Sequence, residues 1–283
     1  MSSVRVIALT SITMIAFAGN SLLCRVALRD TVVDPASFTS IRLVSGAAML
    51  WLIVRMRRNT PQTTGNWLSA LVLFGYAAGF SFAYVSLPAA TGALLLFGSV
   101  QTTMIGRGLW MGERLTGLQL VGVLLAISGL VGLLLPGLSA PPLQGSLLMI
   151  GAGMAWGIYS LRGKGSGDAT AVTAGNFLRA VPFSLVVSLV MSHRISVDVA
   201  GFWYAVSSGA LASGIGYAIW YTVLPSLKAT SAATVQLSVP VIAALGGILF
   251  LAESITLRLV LASIVILGGI ALVIFEKQHT QGR

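Results

Sequence analysis

The sequence predicts an all-α integral membrane protein with ten transmembrane helices, arranged as two inverted five-helix repeats. Three observations support this fold class. Hydrophobic residues make up 56% of the 283-residue chain and charged residues only 8%, whereas about a quarter of the residues in soluble domains are charged. Ten apolar segments are long enough to cross a bilayer. The motif Gly112-Glu113-Arg114-Leu115-Thr116 also returns 140 residues later, as Ala252-Glu253-Ser254-Ile255-Thr256.

The ten apolar segments follow one another with short connections. Runs of roughly 20 apolar residues cross a bilayer as helices, and the expected spans are residues 4–24, 36–54, 67–87, 89–108, 116–135, 143–161, 170–192, 200–222, 230–251 and 256–275. Five spans precede the midpoint of the chain and five follow it. No small-residue cleavage site follows the first span, so we expect a retained helix rather than a removed signal peptide.

The repeated motif divides the chain into two related halves. The same offset of 140 residues aligns further identical residues without a gap, such as Ala93 with Ala233. A run of prolines and glycine at residues 136–142 breaks helical structure, so the expected halves are residues 1–141 and 142–283. Because five spans is an odd number, the second half inserts upside down relative to the first, which is typical of secondary transporters.

The formal charge of +10 predicts a membrane orientation rather than a nucleic-acid partner. Lys and Arg accumulate in cytoplasmic loops, and placing the amino terminus inside gives eleven basic residues on the inner side. The outer loops then hold four, which are Arg25, Arg29, Arg194 and Arg258. We therefore expect a multi-pass protein of the bacterial inner membrane with both termini in the cytoplasm, embedded in lipid as a monomer or weak dimer.

Several classes of protein are disfavoured by what the sequence lacks. The single cysteine, Cys24, cannot build a thiolate metal site, and His193 and His279 fall in a loop and a tail. The seven acidic residues form no paired Asp motif of the kind that a membrane enzyme acting on lipids or prenyl groups needs. A scaffold or sensor is disfavoured because no soluble appendage is present. We expect no enzymatic activity, no metal and no cofactor.

The sequence resembles a known transporter family. The resemblance rests on the repeated Glu-x-Leu/Ile-Thr motif before a glycine-bearing final helix, on Leu224-Pro225, and on the run Ala232-Ala233-Thr234-Val235-Gln236-Leu237-Ser238-Val239-Pro240-Val241. These features resemble the EamA-type branch of the drug/metabolite transporter superfamily. The resemblance covers the whole chain and implies a ten-helix, inverted-repeat exporter of small metabolites. Within the branch, the chain looks most like the YddG-type exporters of aromatic amino acids.

The two halves do not match this family equally well. The first half has Val100-Gln101-Thr102 where the second has Pro240-Val241-Ile242. The first span has Phe17 where the family often has Trp, whereas the second half keeps Trp156 at the corresponding position. We expect function to reside where the two copies diverge.

Polar side chains inside the spans are the first candidates for a substrate site, because an unsatisfied polar group in hydrocarbon is costly. Asn20, Gln101 and Gln236 are the amides in question. Hydrogen bonding between helices is the alternative for each. Pro240 lacks an N–H group and frees the carbonyl of Gln236, so it predicts a kink that could serve as a gating hinge.

Aromatic residues form the second set of candidates. Tyr76, Phe80 and Tyr84 recur every four residues and therefore share one face of the third span. The others lie nearer the middle of their spans and are Trp156, Tyr159, Tyr217 and Trp220. An aromatic-lined cavity suits apolar or aromatic substrates, and packing between helices is the alternative.

Four charged residues take matching positions in the two halves. Arg42 and Arg179 lie seven to nine residues inside their helices and could snorkel to opposite membrane faces; the alternative is that each attracts a substrate carboxylate. Glu113 and Glu253 mark helix ends, and a structural role is the favoured interpretation. Such a role could be accepting bonds from the amides of the next helix or balancing a nearby arginine.

The sequence thus predicts a secondary transporter that exports small amphipathic metabolites by alternating access, with amino acids that have aromatic or apolar side chains as the expected substrates. Mid-span positions contain no Asp, Glu, Lys or His, and proton-coupled pumps usually need such a relay. This favours a gradient-driven facilitator. The alternative is a proton-coupled efflux pump for drugs or other metabolites.

Overall fold

The structure is a computed structural model that describes residues 1–57, 65–112, 115–137, 139–163, 167–227 and 229–281. These residues form helices, turns and loops, with no strand among them. Their twelve α-helices are α1 (Ser3–Asp30), α2 (Pro35–Met56), α3 (Trp67–Tyr84), α4 (Ala89–Trp110), α5 (Gly117–Leu134), α6 (Leu143–Arg162), α7 (Ala169–Val190), α8 (Val199–Val206), α9 (Gly216–Val223), α10 (Ala229–Gln236), α11 (Ser238–Leu251) and α12 (Leu257–Gln281).

Short polar side chains determine where several helices begin. Asp34 accepts hydrogen bonds from the first amides of α2, and Pro35 takes the first helical position, where its missing N–H is not needed. Asn66 caps α3, and Asp168 caps α7. Each cap satisfies backbone donors that have no partner within the helix. The chain therefore turns at polar sites near the expected ends of the spans.

The doubled motif also marks helix starts. Thr116 accepts a hydrogen bond from the amide of Gln119 at the start of α5, and Thr256 accepts one from the amide of Leu259 in α12. The threonine, rather than the glutamate, is the cap in both copies. Glu253 instead forms an ion pair with Arg25, and Glu113 lies outside the described residues.

Eight helices of the described chain are long and apolar enough to cross a membrane. They correspond to eight of the ten expected spans. The other two, residues 143–161 and 200–222, are helical but fall outside this set. The first coincides with α6, whose apolar sequence is diluted by glycines, and the second is split into α8 and α9 by a change of helix type. The chain is a multi-pass membrane protein.

Two regions of the second half depart from regular α-helix. Residues Ser207–Ile215 form a π-helical segment between α8 and α9. Such segments are rare and are frequent at functional sites. Further on, Leu237 separates α10 from α11, one turn before Pro240. The structure therefore breaks the helix where the proline predicts a break.

The helices pack around a centre formed by α1, α3, α4 and α6. α3 packs against α6, and α1 packs against the segment from α8 to α9. α5 and α12 pack against each other at the periphery, where a Cβ on Gly122 would lie 2.6 Å from the carbonyl oxygen of Gly269. Only glycine permits so close an approach of the two backbones. α5 and α12 are thus supports that stand outside the centre.

The bundle has two ends, which we name by one arginine each. The Arg25 face holds the end of α1, the α3–α4 turn and the α11–α12 turn. The Arg162 face holds the end of α6 and the starts of α3 and α7. α3 runs from one face to the other, and its 18 residues span about 27 Å at 1.5 Å per residue.

Candidate functional site

A small cavity of about 20 Å³ lies at the centre of the bundle. α1, α3, α4, α6 and the α8–α9 segment all contribute to its wall. The lining residues are mostly aromatic and are Phe17, Asn20, Tyr76, Phe80, Leu96, Phe97, Trp156, Ala212 and Tyr217. We call this space the central cavity. Its wall is mostly apolar and contains one amide.

Trp156 lies at the middle of the aromatic wall. Its ring stacks on Tyr217 with the ring centroids 5.1 Å apart and on Tyr159 at 5.4 Å. Tyr76 contacts the same indole at 4.9 Å with the planes tilted by 45°. The three tyrosines come from three different helices, so Trp156 joins α3, α6 and α9 through one ring.

A second layer of rings supports this wall. Phe17 meets Tyr217 edge to face at 5.6 Å and also contacts Trp220 at 6.1 Å. Tyr84 meets Phe80 edge to face at 4.8 Å. Such edge-to-face pairs add about 0.5–1.5 kcal/mol each beyond the area they bury. The wall is consequently held in place by packing from behind.

Asn20 supplies the amide in the cavity wall. Ser208, in the π-helical segment, donates a hydrogen bond of 2.6 Å to Oδ1 of Asn20. Both side chains are buried. This contact ties α1 to the irregular part of the eighth expected span and fixes the orientation of the Asn20 amide.

A second small cavity, of about 30 Å³, lies towards the Arg162 face. Its wall is more polar than that of the central cavity and is formed by Asn66, Ser69, Tyr159, Arg162, Gly163, Ala169, Val172, Thr173, Asn176 and Tyr221. We call this space the vestibule. Tyr159 lines the vestibule and stacks on Trp156 of the central cavity, so these two rings stand between the two spaces.

Neutral hydrogen bonds hold the wall of the vestibule together. The Tyr159 hydroxyl accepts from Nδ2 of Asn176 at 3.2 Å and donates to Thr173 at 3.3 Å. Oδ1 of Asn176 accepts from the backbone amide of Asn66 at 3.0 Å. Arg162 donates to Ser69 at 3.0 Å. The amide of Asn176 therefore connects Tyr159 to the start of α3.

A charged cluster closes the Arg25 face. Nε of Arg25 lies 2.9 Å from Oε1 of Glu253, and its Nη1 donates to the carbonyl oxygens of Tyr84 and Val85. Oε2 of Glu253 accepts from the backbone amide of Ala89 at 2.8 Å. This cluster, which we call the Arg25–Glu253 latch, joins α1, the α3–α4 turn and the α11–α12 turn. Glu253 thus has a structural partner, although neither Arg258 nor α12 provides it.

The structure brings together five of the residues predicted to bind substrate, because Asn20, Tyr76, Phe80, Trp156 and Tyr217 all line the central cavity. Tyr159 lines the vestibule instead. The remaining four lie outside both linings and are Tyr84, Gln101, Trp220 and Gln236.

These four residues are held by contacts within the bundle. Tyr84 donates to the carbonyl oxygen of Ala89, and Gln236 donates to the carbonyl oxygen of Ala232 within its own helix. Gln101 is buried in α4, and Trp220 packs behind the cavity wall. The polar or aromatic type of a residue therefore did not by itself identify which helix face lines a cavity.

Four lining residues were not predicted from the sequence, and these are Phe17, Leu96, Phe97 and Ala212. Phe17 precedes Asn20 by three residues, so helical spacing places both on one face and could have found it. Leu96 and Phe97 had no such signal, because every residue of α4 up to Gln101 is buried and no face is distinguished.

Arg42 does not reach a membrane face, so the snorkelling interpretation is wrong for this residue. Arg42 is only 1% exposed, and its Nη2 donates to the Tyr76 hydroxyl at 3.0 Å. The guanidinium carbon lies 4.7 Å from the centroid of the Phe80 ring. Arg179, its counterpart in sequence, is partly exposed and donates to the carbonyl oxygen of Gly175 in its own helix.

Proteins with related sequences and a related structure are known. The chain is 56% identical over 275 residues to an uncharacterized protein of Pseudomonas aeruginosa, with 96% of each chain covered. It is 26% identical over 228 residues to a probable amino-acid metabolite efflux pump of Escherichia coli, covering 72% of this chain and 76% of that one. One crystal structure has the same fold at 20% identity, with a TM-score of 0.68 over 95% of this chain and 97% of that one.

A family model also matches the sequence, and it does so twice. The EamA-like transporter family matches residues 4–135 and again residues 143–275, which together cover nearly the whole chain. The two matches lie on either side of the proline-rich segment, residues 136–142. Members of this family are transporters and not enzymes. The bundle of membrane-spanning helices around an aromatic cavity therefore belongs to a protein of the EamA-like transporter family.

Proposed function

We propose that this protein is a secondary transporter that exports small amphipathic metabolites, in particular amino acids with aromatic or apolar side chains, across the bacterial inner membrane. The observation that carries this proposal is the central cavity. Six aromatic rings and one amide surround it, and they come from inside the helices rather than from the turns. Transporters of inverted-repeat architecture bind their substrates near the bilayer midplane.

The chemistry of the cavity supports this substrate class. In this conformation the cavity has room for only about 20 Å³, roughly the space of one water molecule, so substrate binding requires the aromatic side chains to move apart. Rings prefer offset or edge-to-face contacts with other rings, and Trp156, Tyr76 and Tyr217 offer both arrangements. The Escherichia coli relative is named a probable amino-acid metabolite efflux pump, which supports amino acids as the substrate class. The preference for aromatic side chains, a YddG-type specificity, is the finer part of the proposal and rests on the rings of the cavity.

Alternating access between two inverted repeats is the mechanism we propose. The double match of the family model supports halves at residues 1–141 and 142–283 with five spans in each. The packing is consistent with this symmetry, because α3 packs on α6 as the α8–α9 segment packs on α1. The positive-inside rule then puts both termini and the Arg162 face in the cytoplasm and the Arg25 face outside.

In this arrangement the two ends of the pathway carry different barriers. The Arg25–Glu253 latch closes the outer side. On the inner side, the Trp156–Tyr159 stack separates the central cavity from the vestibule. Export requires the stack to admit substrate from the cytoplasm and the latch to open afterwards. Pro240 and the break at Leu237 lie in the helix that ends at the latch, which supports a hinge at that position.

The cavity chemistry favours a facilitator. None of the described residues that line the central cavity is a carboxylate, an imidazole or an amine. Proton-coupled transport ordinarily relies on such a group inside the membrane. We therefore expect transport down the gradient of the substrate, and uptake with and without an imposed pH gradient should be equal.

Flux into proteoliposomes tests the proposal. The purified protein should exchange radiolabelled phenylalanine, tryptophan or leucine for the same unlabelled amino acid, and lysine and glutamate should exchange much more slowly. The proposal is wrong if none of these amino acids moves. If flux responds only to a pH gradient and extends to cationic drugs, the protein is instead a proton-coupled multidrug pump.

Two tryptophan variants localise the site. Trp156→Ala removes the ring that joins three walls of the cavity, and the loss of contacts of roughly 1.4 kcal/mol should reduce exchange about tenfold. Trp203→Ala is the matched control, because Trp203 is an exposed tryptophan on α8. Equal exchange by both variants, with both folded, would remove the central cavity from the pathway.

A further inference from the structure

Arg42 is buried deep in the bundle with most of its hydrogen-bonding capacity unused. It is the eighth residue of α2, which places it about 10 Å from the start of the helix at 1.5 Å per residue. Nη2 donates to Tyr76, whereas Nε and Nη1 have no hydrogen-bond partner. A guanidinium offers five N–H donors in a planar fork, so one bond leaves this group far from satisfied.

Arg42 also lacks a balancing negative charge. The ion pairs formed by the described residues are Arg25–Glu253, Arg29–Asp30, Arg29–Glu253 and Arg57–Asp168, and none includes Arg42. The acidic residues stand near helix ends throughout the sequence. A buried charge is costly unless it is paired and hydrogen-bonded. Its contacts with the rings of Tyr76 and Phe80 offset only part of that cost.

The guanidinium is separated from the central cavity by a single layer of side chains. Tyr76 and Phe80 are the two rings that Arg42 contacts, at 5.3 and 4.7 Å from their centroids, and both rings line the cavity. Rotation of the Tyr76 side chain would break its bond to Nη2 and leave that nitrogen available beside Nε and Nη1. The cavity thus has a concealed positive charge next to its aromatic wall.

We propose that Arg42 is the anion-binding residue of the central cavity and that the transported substrate carries a carboxylate that pairs with it. The carboxylate takes the place of the Tyr76 hydroxyl on Nη2 and accepts from a second N–H group in a forked pair, the geometry that guanidinium favours. Such a pair in a low-dielectric site is much stronger than in water. This inference rests on the proposed function, since it names the chemical group by which the same cavity recognises its substrate.

Arg179 provides a natural comparison. It occupies the corresponding sequence position in the second half, yet it is partly exposed and bonds to the carbonyl oxygen of Gly175. The two arginines therefore share a position in the repeat but donate to different acceptors. Arg42 donates to a side-chain hydroxyl of another helix, and Arg179 donates to a backbone carbonyl oxygen of its own helix. Only Arg42 combines burial, unused donors and contact with cavity-lining rings.

Ligand binding to the purified full-length protein tests the proposal directly. Three probes share a benzene ring and differ in their charges: phenylalanine, 3-phenylpropionate and phenethylamine. Isothermal calorimetry should show binding of the two carboxylates, and phenethylamine should bind at least tenfold more weakly. Equal affinity for phenethylamine and 3-phenylpropionate would overturn the role of Arg42.

Substitutions then assign the preference to one side chain. Arg42→Gln should abolish the discrimination between 3-phenylpropionate and phenethylamine. Arg42→Lys should restore part of it, because the charge remains while the fork is lost. Arg179→Gln is the matched control and should keep the discrimination of the wild type. If Arg42→Gln does not fold, the comparison of the three probes on the wild-type protein decides.

Failure of this inference can be told apart from failure of the proposed function. If proteoliposomes exchange phenylalanine with the same KM in the wild type and in Arg42→Gln, the transporter stands and the carboxylate pair is wrong. If no amino acid is exchanged while 3-phenylpropionate still binds in an Arg42-dependent manner, the anion site stands and amino-acid export is wrong.

Discussion

The two faces of the bundle are closed by different physical means. At the Arg25 face, an ion pair holds the ends of three helical hairpins together, and its side chains are only 12% and 10% exposed. At the Arg162 face, neutral hydrogen bonds join Tyr159, Thr173 and Asn176 in the wall of the vestibule. The ion pair on that side, Arg57–Asp168, is longer at 3.7 Å, and its side chains are 38% and 25% exposed.

This difference indicates which barrier contributes more to the free energy of the observed state. Buried ion pairs interact strongly and are costly to break by removing one partner, whereas exposed pairs contribute little. Neutral hydrogen bonds contribute about 1 kcal/mol each. We therefore expect the Arg25 face to resist opening more strongly than the Arg162 face.

The largest expected effect comes from breaking the latch. Glu253→Gln removes the carboxylate and leaves the buried guanidinium of Arg25 without its counter-charge. Removing one partner of a buried pair costs about 3–5 kcal/mol. Because the latch keeps some exposure to solvent, we expect a loss near the lower end of that range in the free energy of unfolding, measured by denaturant titration in detergent.

Asp30→Asn is the matched control for this variant. Asp30 also pairs with an arginine on the same face, Arg29, but its side chain is 42% exposed, and exposed pairs contribute at most about 1 kcal/mol. Equal losses in Glu253→Gln and Asp30→Asn would show that burial does not distinguish the latch.

The second prediction concerns opening rather than unfolding. Cys24 is the single cysteine of the chain, it is fully buried, and it precedes Arg25 on α1. Opening of the Arg25 face should expose it to a maleimide reagent. If the latch contributes more than 1.4 kcal/mol to the closed state, Glu253→Gln should accelerate labelling of Cys24 by more than about tenfold.

The control for labelling lies on the other face. Asn176→Ala weakens the vestibule wall and should leave the labelling rate of Cys24 near that of the wild type. Faster labelling in Asn176→Ala than in Glu253→Gln would contradict the role of the latch as the barrier that keeps the Arg25 face closed.

The two faces also differ in how far the sequence predicted them. The threonines of the doubled motif, Thr116 and Thr256, lie where the sequence expected the next helices to start. The partner of Glu253 was not predictable, because Arg25 is 228 residues away and no periodic pattern within one helix encodes a contact between helices.

The central cavity shows the same limit of sequence reasoning. The four-residue spacing on α3 correctly predicted that Tyr76 and Phe80 line the cavity, and the mid-span position correctly predicted the same for Trp156 and Tyr217. The same reasoning included Gln236, which bonds within its own helix. Hydropathy identifies which segments cross the membrane. A helix that is buried on all sides has no polar face, so its sequence does not indicate which of its residues face the cavity.

The third prediction weakens the vestibule. Asn176→Ala removes the donor to Tyr159 and the acceptor for the backbone amide of Asn66. Leaving a buried group without its partner costs about 1–3 kcal/mol, so we expect a loss of about 1–2 kcal/mol, smaller than in Glu253→Gln. Denaturant titration measures it, and Tyr159→Phe, which loses only the hydroxyl, should lose less than Asn176→Ala.

The smallest effect is expected for Arg162→Gln, which removes a charge from the rim of the vestibule. Arg162 is exposed, and its bonds go to the neutral acceptors Ser69 and Asn66. Because solvent replaces such bonds readily, the free energy of unfolding should change by less than about 1 kcal/mol.

The charge of Arg162 nevertheless lies at the entrance that an anionic substrate would use, and charges at an entrance change the association rate more than the affinity. Association of the anion 3-phenylpropionate should therefore be slower in Arg162→Gln than in the wild type at low ionic strength, and the difference should shrink as salt screens the field. A loss of stability as large as that of Glu253→Gln would contradict the contrast between the two faces, since an exposed arginine would then contribute as much as a buried ion pair.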